Sequence, residues 1–269
     1  MTFTLSTYFR LIGAQIRSQL QYRFAFAVDL MATAVITALE FASLALVFGT
    51  FGTLGGWTLG EVAFLYGLVE ISFGIMDLTF SGFDPAAFGS AIRLGRFDQL
   101  LLRPVGITAQ VMGSAFALRR VGKVILGLLI FQLALQTTQV EWTPLKAAYL
   151  PLVVFGMVAF FGGLFVIGAS ITFWTVESVE AVNIFTYGGQ HMISHPMHIY
   201  QDWLRRFFTF VLPAIFLNYY PALLILGKED PLQYPPFAPF LSPFIGLLSL
   251  VAGLAFWRFG IRHYKSSGT

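Results

Sequence analysis

Apolar residues dominate the chain in long runs separated by short polar breaks. The first run extends from about Phe24 to Phe51 and the second from about Glu61 to Gly82, with a Gly-rich turn at Gly55 and Gly56 between them. Two more follow from Val121 to about Thr138 and from Ala147 to about Trp174, and the last runs from about Leu241 to Phe259. At 1.5 Å per helical residue, runs of this length match a hydrocarbon core of roughly 30 Å, so the pattern predicts membrane-spanning helices. A fifth run, the fifth in chain order, has two possible positions. It is either a weaker stretch from about Val179 to Ser194, after an acidic patch at Glu177 and Glu180, or the more apolar Phe207 to Leu226. Either choice gives six spans.

Two stretches break the apolar pattern differently. In residues 4–22, Tyr8, Ile12, Ile16 and Leu20 recur every four positions, while Arg10, Arg17 and Gln19 fall on other faces, which predicts an amphipathic helix lying in the membrane surface. The stretch from Phe83 to Arg120 is polar and basic. Within it, Phe88 to Leu102 read as a helix places Leu94, Phe97 and Leu101 in one narrow arc and Arg96, Gln99 and Arg103 opposite. Pro104 disfavours helical geometry at the residue before it, and Gly106 permits a sharp exit.

Composition agrees with the pattern. The 269 residues are 57% hydrophobic and 11% charged, and the mean hydropathy is +0.76, far from an ordinary soluble domain. The formal charge of +3 is too small and too scattered for a nucleic-acid surface. Its distribution is informative. With the N-terminus inside, Arg10, Arg17, Arg23, Arg93, Arg96, Arg103, Arg119, Arg120, Lys123, Arg258, Arg262 and Lys265 are cytoplasmic, in agreement with the positive-inside rule. No small-residue cleavage pattern follows the N-terminal arginines, so the first run reads as a retained span. The absence of cysteine excludes disulfides and thiolate chemistry.

Candidate chemistry is sparse. Gly122-Lys123 and Gly227-Lys228 are followed by Val124 and Glu229, so the chain carries no phosphate-binding loop. Neither does it hold a soluble segment of the size of a nucleotide-binding domain, so ATP-driven work needs an ATPase partner. His191, His195, His198 and Asp202 have helical spacing, but Pro196 interrupts that helix, and no metal site is assigned. No catalytic constellation is apparent, so the chain is read as a non-enzyme. Glu40, Glu70 and Asp77 lie in the first two spans, where an unpaired carboxylate costs several kcal/mol. Such residues line a wet pathway that receives a polar or cationic group, or they are protonated and hydrogen-bonded to a neighbouring helix. Gly122, Gly127, Ala159, Gly163 and Gly168 allow close helix approach.

The stretch "GRFDQLLLRPVG", Gly95 to Gly106, resembles the signature of bacterial ABC type-2 transporter permeases that carry G-x-[FL]-D-x-x-L-[LI]-[RK]-P after the second span. Gly95, Phe97, Asp98, Leu101, Leu102, Arg103 and Pro104 carry the match. Pro196, Tyr200, Leu212-Pro213 and Tyr220-Pro221-Ala222 resemble that family's late pattern. The resemblance implies one all-α permease domain over 1–269 with six transmembrane helices. It has an amphipathic N-terminal helix (1–23), a cytoplasmic coupling segment (83–120) and a re-entrant outer hairpin before span six (195–240), with Arg205 and Arg206 outside. It implies ATPase coupling through Arg93, Arg96, Phe97, Asp98, Leu101, Arg103 and Pro104, and a substrate path past Glu40, Glu70 and Asp77. The implied partners are two cytoplasmic ABC ATPases, which bind ATP and Mg, a second copy or paralogous permease, and membrane lipids. No cofactor is bound by the chain itself. The implied setting is the bacterial inner membrane, both termini cytoplasmic, and the implied activity is export. A proton-coupled secondary transporter using the intramembrane glutamates, and a non-transporting assembly factor, are the competing readings.

Overall fold

A computed structural model describes residues 5–175 and 180–265. In chain order the helices are α1 (Leu5–Gln21), α2 (Arg23–Phe51), α3 (Leu59–Phe80), α4 (Pro85–Arg93), α5 (Arg96–Leu101), α6 (Ile107–Ser114), α7 (Val121–Thr137), α8 (Pro144–Thr175), α9 (Glu180–Asn183), α10 (Gly189–Ile193), α11 (Asp202–Arg206), α12 (Tyr219–Leu226) and α13 (Ser242–His263). No strand forms among the described residues. Glu177 lies outside them.

Local chemistry fixes the helix starts. Thr58 and Glu61 close a reciprocal capping box at the head of α3, Glu61 Oε2 accepting from Thr58 N at 2.8 Å. Asp84 caps α4 by accepting from Ala86 N and Ala87 N at 3.1 and 3.0 Å, with Pro85 in the first turn, where its missing N–H costs nothing.

Four helical stretches are long and apolar enough to cross a membrane: Arg23–Phe51, Leu59–Arg93, Pro144–Thr175 and Ala238–His263. The pair Asp202–Val211 and Ala214–Leu226, bent by 80°, makes a fifth if it is one span. This differs from six uniform spans in two places. Helix α7 has 17 residues, about 25 Å. The helical stretch 180–193 is shorter still and passes through a π-helical turn at Ile184–Gly188.

Helix α3 is the centre, 78% of its apolar window being buried, against 11% for α2 at the rim. Helix α7 runs antiparallel to α3. Gly74 abuts Val124, Gly67 abuts Phe131, and Gly127 abuts Glu70 and Ile71, so any added Cβ at these glycines meets the neighbouring helix. Helices α8 and α13 run parallel, with Gly156 against Gly246 and Gly163 against Gly253. A Cβ on Gly246 would lie 2.1 Å from the Gly156 carbonyl oxygen. Close backbone approach through small residues is the packing expected where helices lack a hydrophobic drive to associate. The seam therefore uses Gly163, and its partners are two glycines spaced by seven on α13.

The bundle has two distinct ends. At one, the Gly55 carbonyl oxygen accepts from His198 Nε2 at 2.8 Å, Trp57 stacks on Tyr219, and Lys228 pairs with Glu61 at 2.7 Å. Lys146 Nζ donates to Ile225 O at 2.9 Å there. Both extremities of the bent segment, His198 before it and Lys228 after it, lie at this end. The chain between them thus returns rather than crossing once. At the other end sit α4, α5 and α6 beneath the last turns of α8 and α13. Helix α1 joins them, Gln15 Nε2 donating to Ser114 O at 2.8 Å and Gln19 Oε1 accepting from Leu118 N at 2.9 Å.

Candidate functional site: a basic platform and a line of membrane charges

The segment expected to be one helix from Phe88 to Leu102 is two. Helix α4 stops at Arg93, and Gly95 adopts φ 65°, a left-handed conformation that costs glycine little, before α5 begins. This turn re-aims the apolar arc. Phe97 is fully buried, but Leu94 and Leu101, expected beside it, are 56% and 39% exposed, and Leu102 is 86% exposed.

Phe97 anchors α5. Its ring centroid lies 5.5 Å from Phe88, 5.2 Å from Phe173 and 4.9 Å from Tyr264, mostly edge-on, the geometry that ring quadrupoles favour. It also meets Trp257. One side chain thus ties α5 to α4 and to the ends of α8 and α13. Tyr264, whose ring meets Phe97, also lies near Asp98: burial first, and then the Asp98 carboxylate, push its hydroxyl up to about 12. From α6, Gln110 Nε2 donates to Leu100 O at 3.0 Å and to Val105 O at 2.9 Å, holding the turn that leads through Pro104. Trp257 Nε1 donates to Thr108 Oγ1 at 3.1 Å. Arg93, Arg96, Gln99, Arg103 and Pro104 stay exposed around the three leucines. The result is a firmly seated platform with a basic, partly apolar outer face.

From this platform a line of polar groups runs into the bundle. Tyr187 hydroxyl donates to Asp84 Oδ2 at 3.3 Å. Arg120 Nη1 meets Asp77 Oδ2 at 3.0 Å, and Lys123 Nζ meets Glu70 Oε2 at 3.4 Å while lying 4.9 Å from the Phe73 ring centroid. Gln190 Nε2 donates to Glu70 Oε1 at 2.7 Å. Glu70 and Asp77 are each 1% exposed. Isolated in that setting either carboxylate would be costly, and the cation beside each compensates its burial.

Of the three intramembrane carboxylates, Glu70 and Asp77 therefore face paired protein interior, and Glu40 does not. Glu40 is exposed on α2, its Oε2 accepting from Tyr66 hydroxyl at 3.2 Å. Arg120 and Lys123, which the sequence counts only among the cytoplasmic basic residues, are the missing partners. The signal that could have found them is positional: cations at the opening of one apolar run face carboxylates in the middle and at the close of the run before it.

The histidines part company. His191 and His195 line a cavity with Glu40 and Tyr66. His198 turns away to Gly55 and to Tyr219 hydroxyl at 3.1 Å, and Asp202 pairs with Arg205 at 2.5 Å. Among the described residues no three such side chains are grouped to hold a metal.

Neither a curated protein nor a solved structure matches the chain. The family model described as ABC-2 family transporter protein matches residues 34–268, from within α2 to beyond α13. The bundle of apolar helices, the seated platform and this match over nearly the whole length agree, and the chain belongs to the ABC-2 transporter family, whose members are multi-pass membrane permeases.

Proposed function

We propose that the protein is the membrane subunit of an ATP-driven exporter in a bacterial inner membrane. Two cytoplasmic ABC ATPases bind ATP and Mg and press on the platform formed by α4 and α5, and a second copy or a paralogous permease completes the pathway. In this reading the chain crosses six times, through α2, α3, α7, α8, the stretch 180–193 and α13, with both termini cytoplasmic.

The observation that carries the reading is the platform. Arg93, Arg96 and Arg103 surround exposed Leu94, Leu101 and Leu102, while Phe97 holds the helix against α8 and α13. Exposed leucines ringed by arginines suit a protein groove with an acidic rim, and the anchoring lets a push on the face reach two spanning helices. Orientation is supported by charge. Twelve basic residues, those of α1, of the platform and of the neighbouring helix ends, lie at the platform end, while Lys146, Arg205, Arg206 and Lys228 lie in the segments of the opposite end. By the positive-inside rule the platform end is cytoplasmic.

The ion pairs of Glu70 and Asp77 weigh against the proton-driven alternative, because each carboxylate already has a cation. The test is purification of the tagged chain with its genomic neighbours, where an ATPase subunit is expected to co-elute. The double variant Arg96→Glu, Arg103→Glu is expected to lose that association. Persistence of both ATPase association and transport-coupled hydrolysis in the double variant overturns the coupling assignment.

A further inference from the structure

Glu40 differs from every other carboxylate in the apolar part of the bundle. It has no Lys or Arg within ion-pair distance among the described residues, whereas Glu70 and Asp77 each have one. It sits about 25 Å along α2 from Arg23, at 1.5 Å per residue, and so well inside a bilayer-spanning helix. A negative charge there, exposed on the surface of the helix, is stable only beside water or a cation.

A cavity of about 330 Å³ opens at this point. Glu40 and Tyr66 form one wall, His191 near the end of the stretch 180–193 and His195 just past it form another, and Leu44 and Val47 supply apolar surface. The Tyr66 hydroxyl, bonded to Glu40 Oε2 at 3.2 Å, holds the carboxylate toward this space. The walls thus offer one carboxylate, the Tyr66 ring, two imidazoles, the Ser43 hydroxyl and two aliphatic side chains. A carboxylate beside an aromatic face is the chemistry that recognises an organic cation, through charge and through cation–π contact with Tyr66. The volume is at the small end for ligand pockets, enough for a compact head group with its apolar remainder extending through the open side.

We infer that this cavity is a binding site for an organic ammonium head group on an amphipathic molecule, with Glu40 as the counter-ion and Tyr66, His191 and His195 as the surrounding rings. The inference rests on the permease reading, for which it names the substrate class. The charge of Glu40 is left uncompensated by the fold because the cargo supplies the compensation. Glu70 and Asp77, closed by Lys123 and Arg120, do not compete for it.

The test uses the purified chain in detergent with benzyltrimethylammonium as the probe, benzyl alcohol as the neutral comparison and benzenesulfonate as the anionic one. Binding is read by saturation-transfer NMR and competition. The expected result is saturable binding of the ammonium alone, weakened at least tenfold in Glu40→Gln and kept within a few-fold in Glu40→Asp, which preserves the charge. Size-exclusion profiles of both variants show whether they are folded, and Tyr66→Phe, which removes only the hydroxyl that orients Glu40, gives an independent intermediate loss. Equal binding of all three probes, or unchanged ammonium affinity in a folded Glu40→Gln, overturns the assignment. Because no ATPase is present, this outcome is separate from co-elution. An ATPase that co-elutes with a chain indifferent to the ammonium sinks the cation site and leaves the permease reading standing. Ammonium binding without any ATPase does the reverse.

Discussion

Replacing Phe97 with Ala removes the one fully buried side chain of a six-residue helix. A helix this short has little stability of its own, since nucleation is unfavourable and few hydrogen bonds follow it. Its position therefore depends on what Phe97 buries. Truncating a buried Phe to Ala costs about 3–5 kcal/mol, and the ring's edge-on neighbours, Phe88, Phe173 and Tyr264, place this site in the upper part of that range. At about 1.4 kcal/mol per factor of ten, the undocked population of α5 rises roughly 100- to 3,000-fold. Hydrogen exchange at the amides of residues 97–102 reads this directly, because protection there reports local opening. Protection should fall by that factor while α3 and α8 are unchanged. On the proposed coupling, transport-coupled ATP hydrolysis should fall with it. Protection of 97–102 within threefold of the unaltered chain would refute the anchor reasoning, whatever the transport assay showed.

Lys123→Met strands Glu70 in the bundle and is expected to cost about 3–5 kcal/mol, seen as a lowered Tm in detergent. The double variant Lys123→Met, Glu70→Gln should recover most of it, and additive losses would contradict the pairing. Gly246→Val forces α13 off the Gly156 carbonyl and should destabilise by about 1–3 kcal/mol or more. Gly49→Ala, with nothing within 4 Å of its added Cβ, should be close to neutral in the same denaturation assay. The buried Tyr264 hydroxyl beside the platform has a pH signature. A hydroxyl raised from 10.0 to about 12 keeps its stabilisation below pH 10 and loses it as pH climbs toward 12. Opening of 97–102 should therefore rise across that window in the parent chain and stay flat in Tyr264→Phe.

The long helices were legible because hydropathy over some 20 residues depends on the solvent alone and needs no knowledge of neighbours. The platform was only half legible. Periodicity located Phe97 on an apolar arc, but it assumed an unbroken helix, and the left-handed turn at Gly95 rotates Leu94 and Leu101 out of that arc. Glu40, Glu70 and Asp77 were conspicuous as charges, yet only packing distinguishes them. The partners of Glu70 and Asp77 are Lys123 in the first turn of α7 and Arg120 just before it, roughly 40 to 55 positions along the chain, with the α3–α7 register set by Gly67, Gly74 and Gly127. The histidines illustrate the opposite error. Helical spacing groups His191, His195 and His198, but the chain leaves the helix after Ile193, and His198 is drawn across to the Gly55 turn.

The charge pairs between α3 and α7 also bear on how the chain enters its membrane. Taken singly, α3 would carry two carboxylates into lipid, at about 2.5–3.5 kcal/mol for an acidic residue near a helix centre. Helix α7 would carry Lys123 in its first turn, with Arg120 immediately before it. Joined, the four charges close on one another, at 3.0 and 3.4 Å. If α3 and α7 both cross the bilayer, as proposed above, the second and third apolar runs are expected to partition as a hairpin, with α3 waiting while some 40 residues of platform are synthesised. The polar stretch that later serves as the platform is also the tether whose length sets that wait.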